Sequence, residues 1–394
     1  MSAAVVAIHI VRDAAAETYR ELAELRLTGD RGRRCAVTTL AVALAVVVAL
    51  AVHVDDAFWA AISAFVCSQA TAPASVQRGI LRILGTMAGA GLAILISPWL
   101  AGDHAALILA LLFVSTAGVL GQLVSARGYA WLLGAVTADM VLMALLSDPA
   151  SALTVGVDRT AEVTIGTLAA MVVALLVGSG AAAVPAPAAS GWSDLLGKNW
   201  PALRHALQAG LGVMLVPLVW RWLELPSLSQ SAITVAAAMA VPALSNDAAA
   251  DQAKITGRAM HRIFGCLLGG VAGLGCLALS VDNFVPWMLM LSAGMWVAAH
   301  VQASERGISY VGTQGAVVFI STLVQGSGAP ISVLPGIERF AGITGGLLIL
   351  LAVLVLTSFG AGSGDAQGSA ASNRSLDPGS RRASRAKTVM GWWA

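Results

Sequence analysis

The stretch Gly79-Ile80-Leu81-Arg82-Ile83-Leu84-Gly85-Thr86-Met87-Ala88-Gly89-Ala90-Gly91-Leu92-Ala93-Ile94-Leu95-Ile96-Ser97-Pro98-Trp99 decides the fold. Beyond one arginine near its start it holds no charge, and it matches the roughly 20 apolar residues a helix needs to cross a bilayer. Comparable runs occupy 35–52, 58–72, 105–125, 129–147, 157–178, 203–220, 227–244, 259–280, 285–303, 308–324 and 334–357. They predict an all-α integral membrane protein of about twelve transmembrane helices. The 394 residues are 58% hydrophobic and 11% charged, with a mean hydropathy of +0.81. A soluble domain carries about 25% charged residues. With so many spans, only short loops are left and no separate soluble domain fits.

The start of this stretch is repeated. Arg82-Ile83-Leu84-Gly85 recurs as Arg262-Ile263-Phe264-Gly265, and Gly156-Val157-Asp158-Arg159 as Gly336-Ile337-Glu338-Arg339, both 180 positions on. Arg127-Gly128 recurs as Arg306-Gly307, and the turn at Asp148-Pro149 has a counterpart at Ala329-Pro330. The reading is two tandem six-helix repeats, 35–178 and 203–357. An even number of helices per repeat gives both copies one orientation, so a pseudo-twofold axis along the membrane normal should relate them. Residues 179–202 form a cytoplasmic linker rich in Ala, Pro, Gly and Ser. Residues 358–394 form a basic tail of disordered composition that can touch anionic lipid. Residues 1–34 carry an amphipathic helix with Ile8, Val11, Ala15, Tyr19, Leu22 and Leu25 on one stripe, able to lie on the membrane or pack on the bundle. The charges that follow its apolar start exclude a cleaved signal peptide.

A cytoplasmic N-terminus places 20 of the 23 Lys and Arg residues on the inner side and leaves Arg159, Arg221 and Arg339 outside, as the positive-inside rule requires. Trp59, Trp99, Trp220, Trp222 and Trp287 then fall at the outer interface as an aromatic belt. The net charge of +2 gives no reason to propose nucleic acid as a partner. Cys35, Cys67, Cys266 and Cys276 lie in or beside apolar runs without metal-ligand spacing and read as buried side chains. No nucleotide-binding loop, HExxH, GxSxG or catalytic Cys/His spacing is present, so neither an enzyme nor a cofactor is expected.

Arg78 and Arg82, and again Arg258 and Arg262, sit at i, i+4 spacing, which puts two guanidinium groups on one helix face per repeat. They serve as positive-inside anchors or as an anion-attracting vestibule, since arginine offers a fork matched to carboxylate. Gly85, Gly89 and Gly91, then Gly265, Gly269 and Gly273, allow close helix packing beside them. Asp139 falls mid-span, where a carboxyl is costly unless it is protonated, paired or wet; a proton relay and a structural hydrogen bond both account for it. The equivalent position near Val318 is apolar. Asp158, Arg159 and Glu162, echoed by Glu338 and Arg339, open the sixth and twelfth spans as caps and ion pairs or as an exit gate. His53, His104 and His300 read as interfacial. The second span, with Phe58, Trp59, Phe65, Ser68 and Gln69, is short and interrupted by Pro73, as the eighth is by Pro242. Paired broken spans point toward a binding site, and the aromatics suit a flat apolar ligand.

Phe58-Trp59-Ala60, Gln77-Arg78-Gly79 and Arg82-Ile83-Leu84-Gly85-Thr86, with the degenerate copy at Arg262-Ile263-Phe264-Gly265 and the six-plus-six layout, resemble the fusaric acid resistance and aromatic acid exporter family of bacterial inner-membrane proteins. The resemblance implies proton-driven export of aromatic or other organic carboxylates, in some members with a periplasmic adaptor protein as partner. The six-helix half is also similar to plant aluminium-activated malate channels, which implies the rival reading of a passive anion pore. Many family members carry a sizeable cytoplasmic domain between or after the halves, where this chain has only a short linker. The expectation is a secondary transporter moving a small organic anion outward. Arg78, Arg82, Arg258 and Arg262 attract and orient the carboxylate, Trp59, Phe65 and Gln69 shape the site, Asp139 carries the coupling proton, and Asp158, Arg159, Glu162, Glu338 and Arg339 form the gate.

Overall fold

Apolar runs in a medium without water leave the backbone one local way to satisfy its own polar groups, the helix. In the computed structural model every regular element among the described residues is helical. The structure describes residues 3–359 apart from 26, 181–190, 194, 198, 224–227, 241–247, 280–282, 327–331 and 333. Thirteen helices follow one another: α1 (Ala3–Ala23), α2 (Gly29–Val52), α3 (Ala57–Cys67), α4 (Ala72–Leu100), α5 (His104–Val124), α6 (Gly128–Ala144), α7 (Ala152–Val177), α8 (Trp200–Leu223), α9 (Leu228–Met239), α10 (Ala248–Leu277), α11 (Phe284–Gln302), α12 (Ser309–Leu323) and α13 (Leu334–Phe359). Eight of them, α2, α4, α5, α7, α8, α10, α11 and α13, are long and apolar enough to cross a membrane, while α3, α6 and α9 are shorter apolar helices. Each of the twelve apolar runs in the sequence overlaps chiefly one of the helices α2 to α13.

Local chemistry sets several ends. His53 closes α2 in the left-handed region, at φ 59°, and its N–H reaches the Ala49 and Leu50 carbonyls. The Thr71 hydroxyl accepts from Ala74 N at the start of α4, and Asp103 accepts from Ala105 and Ala106 N at the start of α5, each supplying an acceptor to a first turn that has none of its own. Pro73 was expected to interrupt the second span. Instead α3 ends at Cys67, and Pro73 occupies the first turn of α4, where a missing N–H costs nothing. Pro242, the Ala329-Pro330 turn, the tail from 360 and half of the linker lie outside the described residues.

The packing between the two sets of six helices is reciprocal. Helix α5 lies against α8 and, at the matching position, α11 lies against α2; α6 meets α9, and α12 meets α3. Neither set keeps a core to itself. One buried apolar cluster joins α2, α3 and α7 to α11 and α12, and another joins α4, α5 and α6 to α8, α9 and α13. Within each set the closest approach is made by glycine. A Cβ on Gly89 of α4 would overlap the Gly134 carbonyl of α6, and one on Gly269 of α10 would overlap the Gly315 carbonyl of α12. Gly91 departs from the expected packing role, with nothing within 4 Å of the place a Cβ would take.

Helix α1 packs on α10 and α11 through a face other than the apolar stripe. Ala14, Thr18 and Glu21 are buried, whereas Ile8 is 65% and Tyr19 76% exposed. The reason is electrostatic. Glu21, 1% exposed, forms an ion pair with Arg31 of α2 and with Arg306 (3.3 Å), accepts from the Ser304 hydroxyl (2.6 Å), and lies 3.4 Å from His300 Nε2. A buried carboxylate is stable only when it is paired in this way. Arg306 also reaches Glu24 at 2.7 Å and Glu17 at 3.4 Å, and hydrogen bonding to Glu24 raises its already high pKa. His300 is therefore buried inside a charge cluster and not interfacial. Trp287 is likewise no belt residue: it is 1% exposed and donates its indole N–H to the Leu323 carbonyl at 2.8 Å. Trp99 and Trp222 do face outward. Three of the four cysteines are buried and Cys276 is partly so.

Candidate functional site

Two arginine clusters of like construction stand at matching places. On α4, one turn apart, Arg78 lies over the Tyr129 ring of α6 at 4.3 Å, and Arg82 donates to the Tyr129 hydroxyl at 2.8 Å. On α10, Arg258 lies over the Tyr310 ring of α12 at 4.1 Å and Arg262 donates to its hydroxyl at 3.2 Å. The glycines of α4 and α10 explain the geometry, because only a backbone-to-backbone approach brings the tyrosine of the neighbouring helix within reach of both guanidinium groups. Arg262 also donates to Thr234 of α9 at 3.1 Å, and Arg258 to the Ala237 carbonyl at 3.0 Å.

Arg82 and Arg262 are buried, and among the described residues no carboxylate pairs with either; Nε of Arg78, Arg82 and Arg262 has no hydrogen-bond acceptor. A buried guanidinium with an aromatic face and neutral hydroxyls, but no counter-ion, retains donors for an incoming anion. The tyrosines were not singled out from the sequence, although two of the chain's three tyrosines hold these equivalent positions. The signal is masked because two extra residues, Ile308 and Ser309, separate Gly307 from Tyr310, where Gly128 and Tyr129 are adjacent.

The second group gathers around Arg159. Its guanidinium pairs with Glu162 at 2.9 Å and with Asp56 at 3.3 Å, the Asp56 N–H donates to Glu162 at 3.1 Å, and the guanidinium lies over the Trp59 ring at 4.4 Å. Asp158 and Glu338, expected as partners of the adjacent arginines, form no ion pair among the described residues. The helical geometry explains it, since neighbours in sequence point about 100° apart while i, i+3 residues share a face. Asp56, which sequence reading did not select, is the first half's missing member. Arg339 is 8% exposed, and its guanidinium lies 5.8 Å from the same Trp59 ring. Trp59 thus belongs with the two arginines of α7 and α13 and not with the Arg82 cluster.

The structure separates the remaining residues expected at the site. Phe65 is fully buried in the apolar core. Gln69 folds back at the α3–α4 joint, its side chain donating to the Val66 carbonyl at 2.9 Å while its own N–H donates to Ser75 Oγ at 2.8 Å. Asp139, 1% exposed on α6, accepts from the Ser115 hydroxyl of α5 at 2.7 Å through Oδ2, and Oδ1 has no hydrogen-bond partner among the described residues. By the register of the tyrosines its counterpart is Ile320. A groove of about 620 Å³ beside the first turns of α4 is lined by apolar residues such as Ala72, Val76, Ile80 and Leu175, and none of the expected site residues faces it.

Residues 42–173, from α2 into α7, match the family model described as fusaric acid resistance protein-like. No curated protein and no solved structure matches the chain, and nothing in these comparisons shows the similarity to malate channels. Eight membrane-length helices indicate a multi-pass membrane protein, and its residues 42–173, within the first six apolar helices, are similar to the fusaric acid resistance protein-like family.

Proposed function

We propose that the protein is a secondary transporter of the bacterial inner membrane, with both termini cytoplasmic, that exports organic anions, aromatic carboxylates foremost. The observation that carries this reading is the pair of buried arginines, Arg82 and Arg262, each held by a tyrosine and left without a counter-ion. An unpaired buried charge is too costly to be kept for packing alone, and a planar fork of donors fits a carboxylate. The similarity of residues 42–173 to the fusaric acid resistance protein-like family points to transport. The reciprocal packing of α5 on α8 and α11 on α2 supports two repeats about an axis along the membrane normal, with the substrate moving along their seam.

In this reading Arg78 and Arg258 draw the anion from the cytoplasmic side and Arg82 and Arg262 orient it. Asp139, an intramembrane carboxyl with a single hydrogen-bond donor, takes up and releases the coupling proton. The partners are the small organic anion and the surrounding lipid; a periplasmic adaptor rests on the family resemblance alone.

The test is uptake of labelled 4-hydroxybenzoate and fusarate into proteoliposomes, with and without a pH gradient at fixed voltage. Accumulation above equilibrium that collapses with the gradient is expected. Flux that only equilibrates would replace the carrier with a passive channel, and absence of flux for both compounds would sink the substrate class.

A further inference from the structure

The two arginines that share Trp59 occupy equivalent places in the two halves, yet their electrostatic settings are opposite. Arg159 has two carboxylates, Asp56 and Glu162. Arg339 has none among the described residues. The position matching Glu162 is Gly342, which has no side chain to offer and whose carbonyl accepts from Ser231 Oγ at 2.8 Å. The charged group that the geometry places with Arg339 is a second guanidinium, that of Arg159, over the same Trp59 ring. The Nε of Arg339 is buried without an acceptor. The Trp59 ring does not compensate it either. At 5.8 Å the guanidinium stands near the outer limit of about 6 Å for a cation over a ring, whereas Arg159 at 4.4 Å is in full contact.

An uncompensated cation in the bundle, flanked by a like charge and by an aromatic surface, lacks one component: an anion with a flat apolar body. We propose that Arg339 and Trp59 form a carboxylate-binding station across the two halves, in which the guanidinium of α13 takes the carboxylate and the indole of α3 takes the ring of an aromatic acid. The station rests on the transport reading above and deepens it by naming where selectivity for an aromatic body arises. Arg262 passes the anion to it. Asp56, whose side chain is 46% exposed, opens the same cluster to water. The first half offers no second station of this kind, because Glu162 already occupies the equivalent guanidinium. One anion is therefore held asymmetrically within a symmetric frame.

The experiment is calorimetric titration of the full chain in nanodiscs with three probes: 4-hydroxybenzoate, cyclohexanecarboxylate and 4-hydroxybenzyl alcohol. The wild-type chain should bind the first most tightly, the second more weakly and the alcohol least. Arg339→Gln should weaken both carboxylates at least tenfold. Trp59→Leu should erase the preference for hydroxybenzoate over cyclohexanecarboxylate while leaving the latter within about twofold. If Arg339→Gln does not fold, Trp59→Leu and its selectivity readout carry the test alone. Wild-type binding that survives both substitutions, but is lost in Arg262→Gln, would overturn the station and leave the transport reading standing. A wild-type chain that binds neither carboxylate would overturn both.

Discussion

The Ser115 hydroxyl on α5 donates to Asp139 Oδ2 on α6 across 2.7 Å, and among the described residues it is the one hydrogen-bond partner of a carboxyl buried between apolar helices. Asparagine at 139 keeps the shape and the acceptor for Ser115 but cannot exchange a proton. Asp139→Asn should therefore fold with stability within roughly 1 kcal/mol of wild type, the scale of one ordinary hydrogen bond. In proteoliposomes it should abolish gradient-driven accumulation while leaving equilibrating exchange intact. Accumulation that persists in Asp139→Asn would remove this residue from the coupling step.

Arg82→Gln and Arg262→Gln should each lower kcat/KM for a carboxylate substrate at least tenfold, since charge-assisted hydrogen bonds contribute about 1.5–3 kcal/mol. Tyr129→Phe and Tyr310→Phe remove only the hydroxyl acceptor and keep the ring under Arg78 or Arg258, so their effect should be several-fold smaller. Initial-rate transport assays over a range of substrate concentrations measure both. Equal losses in the arginine and tyrosine variants would mean that the hydroxyl, and not the guanidinium, is the group that matters.

Glu162→Gln leaves the Arg159 guanidinium buried with only the half-exposed Asp56 to balance it. Removing one partner of a buried pair costs about 3–5 kcal/mol. Thermal unfolding in detergent should show a clear loss for Glu162→Gln. Asp158→Asn, whose parent makes no ion pair among the described residues, should unfold with the wild type.

Gly89→Val and Gly269→Val force a side chain into a neighbouring carbonyl, a cost above the usual 1–3 kcal/mol or so of overpacking because backbone cannot yield as a side-chain tip does. Both should lose folded protein on size-exclusion chromatography. Gly91→Ala, on the same helix with nothing within 4 Å, should purify like wild type. Equal yields for the two classes would show that α4 and α6 do not need their close approach.

Glu21→Ala removes the buried carboxylate that pairs with both Arg31 and Arg306, leaving Arg31 without its partner on α1 and Arg306 with only the more exposed Glu17 and Glu24. Hydrogen exchange in α1 should rise by at least tenfold, with little change in α4 or α7. Unchanged protection would assign the docking of α1 to Ala14 and Thr18 instead.

The all-helical, membrane-embedded character and the paired arginines were legible in the chain because hydropathy and spacing report the solvent of a segment and the face on which a charge lies. What hydropathy cannot report is which helix lies opposite. Glu21 and Arg306 meet across 285 positions (306 − 21) of sequence, and no local pattern marks them. Trp287 has an apolar body and one N–H, which a lipid headgroup or the Leu323 carbonyl satisfies equally well, so its sequence position alone suggested a belt. The exposed stripe of α1 misled for a related reason: an ion-pair cluster outweighed the apolar face in choosing which side docks. Tyr129 and Tyr310 were hidden by a two-residue insertion that breaks the repeat register.

The shared cores carry a consequence for biogenesis. When synthesis has passed α7, the flanks of α2, α3, α5 and α6 that will meet α11, α12, α8 and α9 have only lipid against them. The first six helices must therefore linger in the bilayer as an unsealed assembly until the later ones are inserted. The segment that joins the sets acts in that interval as a tether, keeping the waiting surfaces for their own chain and not for another copy emerging nearby.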